Sequence, residues 1–214
     1  MSTIQILKGN WFISTDPENK GKETKWFEAI PNDTKPAPVP GIIQQVFPAY
    51  HGLVWYFHNF RPNQTAIDNE RVLLRFGAVD YFAEVWLNGK NVGSHEGGEL
   101  PFTLDVTETV RFDADNLLVV RVLNPDKDPI DGMDFAHTAT GFKRAEFGCG
   151  GTYQSGGIMA DVELLVVPSV RVIDVFANPC LMDGSIKVLM TVQNDTKTTV
   201  SGMLAVSVLS LIHI

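Results

Sequence analysis

The chain has 214 residues, 44% hydrophobic and 20% charged, which is typical of a globular protein with room for one full domain and part of another. Its formal net charge of −8 argues against a nucleic acid or an anionic membrane as the main partner, because both need a basic face. The two cysteines, Cys149 and Cys180, lack metal-type spacing and are expected to be free thiols in a reducing compartment.

The first ten residues show no basic segment followed by a long apolar one, so we expect no signal peptide and a cytoplasmic location. No apolar run approaches the roughly 20 residues that a helix needs to cross a bilayer. We also expect neither a metal nor a cofactor.

Short runs of alternating apolar and polar residues, separated by turn residues, predict an all-β fold. Strands are expected over residues 54–60, 71–76, 81–87, 102–106, 117–123 and 161–167. The run 117–123 is nearly all apolar, so we expect that strand to be covered on both faces.

Residues 85–102 contain the clearest local signal. Asn88-Gly89 predicts a type I′ hairpin, because both central residues of that turn need positive φ. A short return strand should follow, and then the glycine-rich loop that begins at His95-Glu96.

A long irregular segment, residues 124–158, separates the last two predicted strands of this part. Loops of this length in a compact domain are uncommon and are often functional. Four acidic residues in it could bind a hard cation such as calcium or sodium: Asp126, Asp128, Asp131 and Asp134. Their spacing does not match an EF-hand, so a solvated acidic loop is the favoured interpretation.

After Pro168 the strand pattern restarts, with strands expected over residues 170–176, 185–192 and 199–208. The sequence therefore predicts a domain over residues 1–168 and a second one over 169–214. Three strands are too few for an immunoglobulin-like sandwich of about seven, so the second domain is interpreted as truncated. Residues 209–214 continue no strand pattern and are interpreted as artefactual.

Seven motifs in order resemble the N-terminal part of family 2 glycoside hydrolases, which include β-galactosidases, β-glucuronidases and β-mannosidases. The hairpin segment 85–102 matches the pattern VWLNGxxVGxHEGGxxPF of that family. The other six motifs lie at residues 9–26, 39–44, 51–56, 76–81, 116–122 and 156–164. Ile43 and Met159 stand where the family usually has Trp.

The resemblance implies a jelly-roll-like β-sandwich, similar to galactose-binding domains, followed by a partial immunoglobulin-like β-sandwich. It also implies that the chain is the non-catalytic N-terminal portion of a retaining β-glycosidase. In this family both glutamates of the reaction lie on a barrel, and no Glu here matches those barrel motifs, so the chain has no expected catalytic residue and should be inactive alone. The implied partners are a β-glycoside and the barrel in cis, and the parent is expected to form a homo-oligomer.

Three residues are candidates for substrate binding: Asp126, His95 and Glu96. Asp126 is the nearest match to an Asp that reaches galactose and a sodium ion in β-galactosidase relatives. His95-Glu96 could serve acid–base chemistry, although a glycine-rich loop with a structural role is the favoured interpretation. Gly151 stands where β-glucuronidase relatives have a sugar-contacting Asp, so a β-galactosidase-like parent is favoured.

Aromatic side chains offer a further route to sugar binding, because pyranose rings stack on aromatic faces. Trp55 and Trp86 lie within predicted strands and are expected to pack in the core. Trp26 and Tyr50 lie in predicted loops, and their role stays open.

Two other functions remain alternatives. The chain could be a free-standing carbohydrate-binding module without hydrolase activity, since one sandwich architecture serves several roles. It could also be a structural interaction domain, in which case an exposed apolar patch is expected on its surface.

Overall fold

The computed structural model describes residues 2–64, 66, 68–134 and 154–207. Contacts divide the chain into two compact units, Met1–Val167 and Pro168–Ile214. Apart from one short 3₁₀-helix, Ile43–Gln45, all regular elements in the described ranges are β-strands, which confirms the predicted all-β class.

The described residues of the first unit form twelve strands: β1 (Thr3–Ile6), β2 (Trp11–Thr15), β3 (Lys35–Ala37), β4 (Gly52–Phe60), β5 (Glu70–Phe76), β6 (Val79–Asp80), β7 (Phe82–Leu87), β8 (Lys90–Glu96), β9 (Phe102–Asp105), β10 (Asn116–Asn124), β11 (Gly157–Ile158) and β12 (Val162–Pro168). Each strand predicted before residue 168 is present, with its ends within two residues of the prediction. Five strands were not predicted: β1, β2, β3, β6 and β11.

These strands form two main sheets. The six-stranded sheet has the order β3-β2-β4-β10-β7-β8, and the four-stranded sheet has the order β1-β12-β5-β9. A small sheet pairs β6 with β11. This arrangement of two main sheets agrees with the β-sandwich that the resemblance of the motifs implied.

The hydrophobic core explains why β4 is apolar on both faces. Val54 and Tyr56 belong to the large core cluster between the main sheets. Trp55 and Phe57 point the opposite way, as alternate residues of a strand do, into a second cluster. Residues 26–30 cover that second cluster with three partly buried side chains: Trp26, Phe27 and Ile30. Strand β10 is also buried on both faces, as predicted for residues 117–123.

The hairpin between β7 and β8 has the predicted turn. Asn88 has φ 53° and Gly89 has φ 82°, the positive values that a type I′ turn requires. The side chain of Asn88 also accepts a hydrogen bond from the Leu117 amide (3.0 Å) and donates to the Thr109 carbonyl (2.9 Å). The turn is therefore tied to the start of β10 as well as to its own strands.

In the second unit, residues 168–207 are described and form an antiparallel hairpin of β13 (Val170–Cys180) and β14 (Ser185–Asn194). The third predicted strand, over 199–208, is wrong for the described residues 199–207, which form no strand. Instead, the Asn194 side chain donates to the Thr198 carbonyl (3.0 Å) and accepts from the Thr196 amide (2.9 Å), which turns the chain at the end of β14. No helix among the described residues is long and apolar enough to cross a membrane.

Candidate functional site

Strand register brings several loops to one end of the six-stranded sheet. Leu123, near the end of β10, pairs with Leu53 at the start of β4 and with Phe82 at the start of β7. Phe82 in turn pairs with Glu96 at the end of β8. We call this end the loop edge and define it as residues 16–21, 44–52, 96–98, 124–134 and 154–157.

The first loop of this edge, residues 16–21, is organised by the buried carboxylate of Asp16. Its Oδ2 accepts hydrogen bonds from the Trp55 indole N–H (2.9 Å) and the Gly21 amide (2.9 Å), and its Oδ1 accepts one from the Lys20 amide (2.8 Å). A Cβ at Gly21 would lie 2.5 Å from Trp55 Nε1. The motif at 16–21 therefore has a structural role, since its Asp and its Gly are both required by the packing of this loop on Trp55.

A buried arginine links that loop to the loop after β10. Arg121 is 1% exposed, and its Nη1 donates to Glu84 Oε2 (2.5 Å). Its Nη2 donates to Asp131 Oδ2 (2.5 Å) and to Asn19 Oδ1 (2.8 Å), and Asn19 Nδ2 donates to the other Asp131 oxygen (2.9 Å). Burial alone would raise the pKa of Asp131, but the hydrogen bonds from Arg121 and Asn19 and the charges of Arg121 and Lys22 outweigh it and lower that pKa.

A different set of contacts holds residues 154–157, at the far end of the long loop, against the end of β10. Asn124 is buried at the end of β10, and its Nδ2 lies 3.2 Å from His51 Nδ1. Gly156 packs directly on Asn124, because a Cβ there would lie 2.6 Å from the Asn124 Cγ. The Gly156 carbonyl accepts from the Ile43 amide (2.8 Å), and its amide donates to Gln44 Oε1 (3.4 Å). Both described ends of the long loop, residues 124–134 and 154–157, are therefore anchored to the sandwich.

The structure places the three predicted site residues at this end of the sheet, but in different environments. Asp126 is half-buried and lies two residues beyond the end of β10. His95 stacks on Phe102 at 4.3 Å between ring centroids, and Glu96 accepts a hydrogen bond from the Tyr81 hydroxyl (2.8 Å). Because neighbouring residues of a strand point to opposite faces, His95 and Glu96 are not brought together as an acid–base pair. Sugar contact by any of the three stays a prediction.

The acidic residues after β10 do not gather into one cluster. Asp131 pairs with Arg121, and within the described ranges no group of three or more His, Cys, Asp or Glu side chains is arranged to hold a metal ion. Cys180 is an exposed free thiol, whereas Cys149 and Gly151 lie outside the described residues.

The prediction that Trp55 and Trp86 pack in the core is confirmed. Trp55 and Trp86 are buried and stack at 5.2 Å between ring centroids. Trp26, left open by the sequence, is half-buried and meets Trp55 edge-on at 6.0 Å. The Tyr50 hydroxyl donates to the Leu53 carbonyl (2.8 Å), and burial raises the pKa of Tyr50 to about 12. These rings serve to pack the sheet and its loops.

Sequence reasoning missed Arg121, Asn124, Gln44 and His51. Arg121 carried a usable signal, since a charge inside a run as apolar as 117–123 must be paired when the strand is covered on both faces. The other three are polar residues beside strand ends, where sequence does not show which loops will meet.

Two packed antiparallel sheets, with polar anchors gathered on loops at one end, define a β-sandwich domain of the jelly-roll kind. The model of the family "Glycosyl hydrolases family 2, sugar binding domain" matches residues 38–168. The chain belongs to glycoside hydrolase family 2, as the resemblance of its motifs implied.

The chain is also similar to known members of this family. The β-glucuronidase of Paenibacillus borealis is 36% identical in an alignment of 126 residues that covers 56% of this chain and 21% of that protein. The dog (Canis lupus familiaris) β-glucuronidase is 35% identical in an alignment of 118 residues that covers 49% of this chain and 18% of that protein. The solved structure of an uncultured Clostridium sp. β-glucuronidase has TM-score 0.70 and 27% identity, covering 92% of this chain and 35% of that chain. The chain thus spans about a fifth of the curated relatives it matches.

Proposed function

We propose that this chain is the sugar-binding head of a β-glucuronidase-type glycoside hydrolase and that its loop edge forms part of the wall of the sugar pocket. The single observation that carries the proposal is the 36% identity to the β-glucuronidase of P. borealis over 126 residues. The β-galactosidase-like parent favoured by the sequence finds no such support, since the relatives described above are β-glucuronidases.

The chemistry of the reaction supports a non-catalytic role for this part. Retaining glycosidases hold two carboxyl groups about 5 Å apart across the scissile bond. At the loop edge, Glu96 bonds to Tyr81 and Asp131 bonds to Arg121, so these carboxylates serve the fold. We therefore place both reacting carboxylates on a barrel in cis and assign binding and shaping of the sugar pocket to the loop edge.

The test is hydrolysis by the product of the complete gene that contains this chain. Purified protein is assayed with 4-nitrophenyl β-D-glucuronide and 4-nitrophenyl β-D-galactoside under identical conditions. We expect kcat/KM for the glucuronide to exceed that for the galactoside by about 100-fold or more, because a site built to pair a carboxylate rejects a sugar lacking it. A preference for the galactoside would overturn the proposed substrate class.

The 214-residue chain alone serves as the matched control. We expect it to release no nitrophenol, since both reacting carboxylates are assigned to the barrel in cis. Glycan binding by the isolated chain, together with a complete gene product that hydrolyses no glycoside, would favour the carbohydrate-binding module instead.

A further inference from the structure

The carboxylate of Asp131 tethers the turn after β10 to the sandwich. Asp131 accepts hydrogen bonds from Arg121 Nη2 (2.5 Å) and Asn19 Nδ2 (2.9 Å). Arg121 lies on β10 and Asn19 on the loop at 16–21, so one side chain joins a turn, a strand and a second loop. Neither the family match nor the proposed function requires such a tether.

The donor side of this tether is rigid. Arg121 is 1% exposed, and its Nη1 donates to Glu84 Oε2. The other oxygen of Glu84, Oε1, accepts a hydrogen bond from Lys22 Nζ (2.7 Å). A guanidinium is planar and presents its donors in a fixed fork, so it defines one position for the Asp131 carboxylate. Two positive and two negative side chains balance in this group, and neutralising Asp131 would leave it with an excess positive charge.

The acceptor side is a tight turn. Asp131 and Gly132 have φ 51° and 81°, and Ile130 and Met133 exchange two backbone hydrogen bonds of 2.9 Å each. A Cβ placed at Gly52 would lie 3.6 Å from the end of the Ile130 side chain, so the turn packs on the start of β4. Fixing Asp131 therefore fixes the whole turn at 130–133 on the loop edge.

We propose that Asp131 is a positioning residue: through Arg121 and Asn19 it holds the turn at 130–133, and with it the preceding residues around Asp126, in the orientation that meets the sugar. This inference rests on the proposed function for its last step only. The tether itself is a property of the chain and can be measured without a substrate.

The first experiment is hydrogen–deuterium exchange on the 214-residue chain carrying Asp131→Asn. Asparagine tolerates positive φ, so this change removes the charge without straining the turn. We expect exchange of the amides at 126–134 to rise about threefold to tenfold, while β4 amides keep their protection. Asp33→Asn is the control, because it removes the same charge from an exposed position outside the loop edge.

The second experiment measures kinetics of the complete gene product with the same two substitutions. We expect Asp131→Asn to raise KM about threefold or more and to change kcat less than twofold, because a displaced binding loop weakens ground-state and transition-state binding alike. Asp33→Asn should change neither constant.

Unchanged exchange over 126–134 in Asp131→Asn would overturn the tether. Faster exchange with an unchanged KM would overturn its role in positioning the sugar site. If the enzyme prefers another glycoside, KM is measured with that substrate, so failure of the proposed substrate class is distinguished from failure of this inference.

Discussion

At the scale of single residues, buried polar side chains decide how the loops of this sandwich are held. Asp16, Asn124 and Arg121 are each nearly inaccessible to solvent, and each bonds groups from a different part of the chain. A buried polar group that loses its partner costs free energy, so these contacts specify one arrangement of the loops.

Asp16→Ala should lower the free energy of unfolding by about 2–4 kcal/mol, because three donors, including the buried Trp55 indole N–H, lose their acceptor. Urea titration followed by tryptophan fluorescence measures this. Asp33→Ala, at an exposed position, is the control and should stay within about 0.5 kcal/mol of the parent chain. Equal stability of the two variants would contradict the structural role of the motif.

The buried side chain of His58 is expected to make the stability of the fold depend on pH. Burial lowers the pKa of His58, outweighing its contact with the Asn10 carbonyl, and its ring stacks on Trp11 at 4.5 Å. A lowered pKa means that the unfolded chain binds the proton more readily. The stability from neutral His58 is therefore present above the ordinary histidine pKa of about 6.5 and is lost as pH falls through the folded pKa.

His58→Phe should remove this part of the pH dependence, measured as unfolding free energy from pH 7.5 to pH 5. His51→Asn leaves His58 in place and should keep the dependence on pH. A slope in His58→Phe identical to that of the parent would show that His58 does not contribute to it.

At the scale of elements, turn chemistry and strand pairing act together in the β7–β8 hairpin. The dipeptide Asn88-Gly89 was sufficient to predict the turn. Contacts outside the turn contribute most to its stability, because the Asn88 side chain bonds to the Thr109 carbonyl, Asn116 and the Leu117 amide.

Asn88→Gly should therefore destabilise the chain by about 2–3 kcal/mol, although glycine suits the turn, since these hydrogen bonds are lost. Gly89→Asn is the matched variant. Asparagine tolerates positive φ and a Cβ there meets Glu28 only at 3.6 Å, so the cost should stay below about 1 kcal/mol. Thermal unfolding of both variants measures the order, and the reverse order would show that backbone strain dominates.

At the scale of the whole molecule, the two units differ in how much apolar surface they cover. The first has a continuous core between its sheets. In the second, the β13–β14 hairpin exposes apolar side chains along both strands: Val172, Ile173, Val175, Phe176, Ile186, Leu189 and Val192. An uncovered apolar strand pair favours association with other chains.

A chain ending at Pro168 should therefore be more soluble than the 214-residue chain and should remain monomeric. It keeps β12, which pairs with β1 and belongs to the first unit. Light scattering and sedimentation at matched concentrations measure this. Equal or better solubility of the longer chain would contradict a domain boundary at this position.

The sequence by itself determined the all-β class, seven of the ten strands of the two main sheets, the Asn88-Gly89 turn and the family, because alternation, turn residues and motif spacing are local signals. Only the tertiary structure decided that Tyr81 meets Glu96, that Asp131 pairs with Arg121 and that Asn124 meets Gly156. These contacts join residues from different strands and loops. Which side chains meet there depends on sheet order and register, and neither can be read from the spacing of residues along the chain.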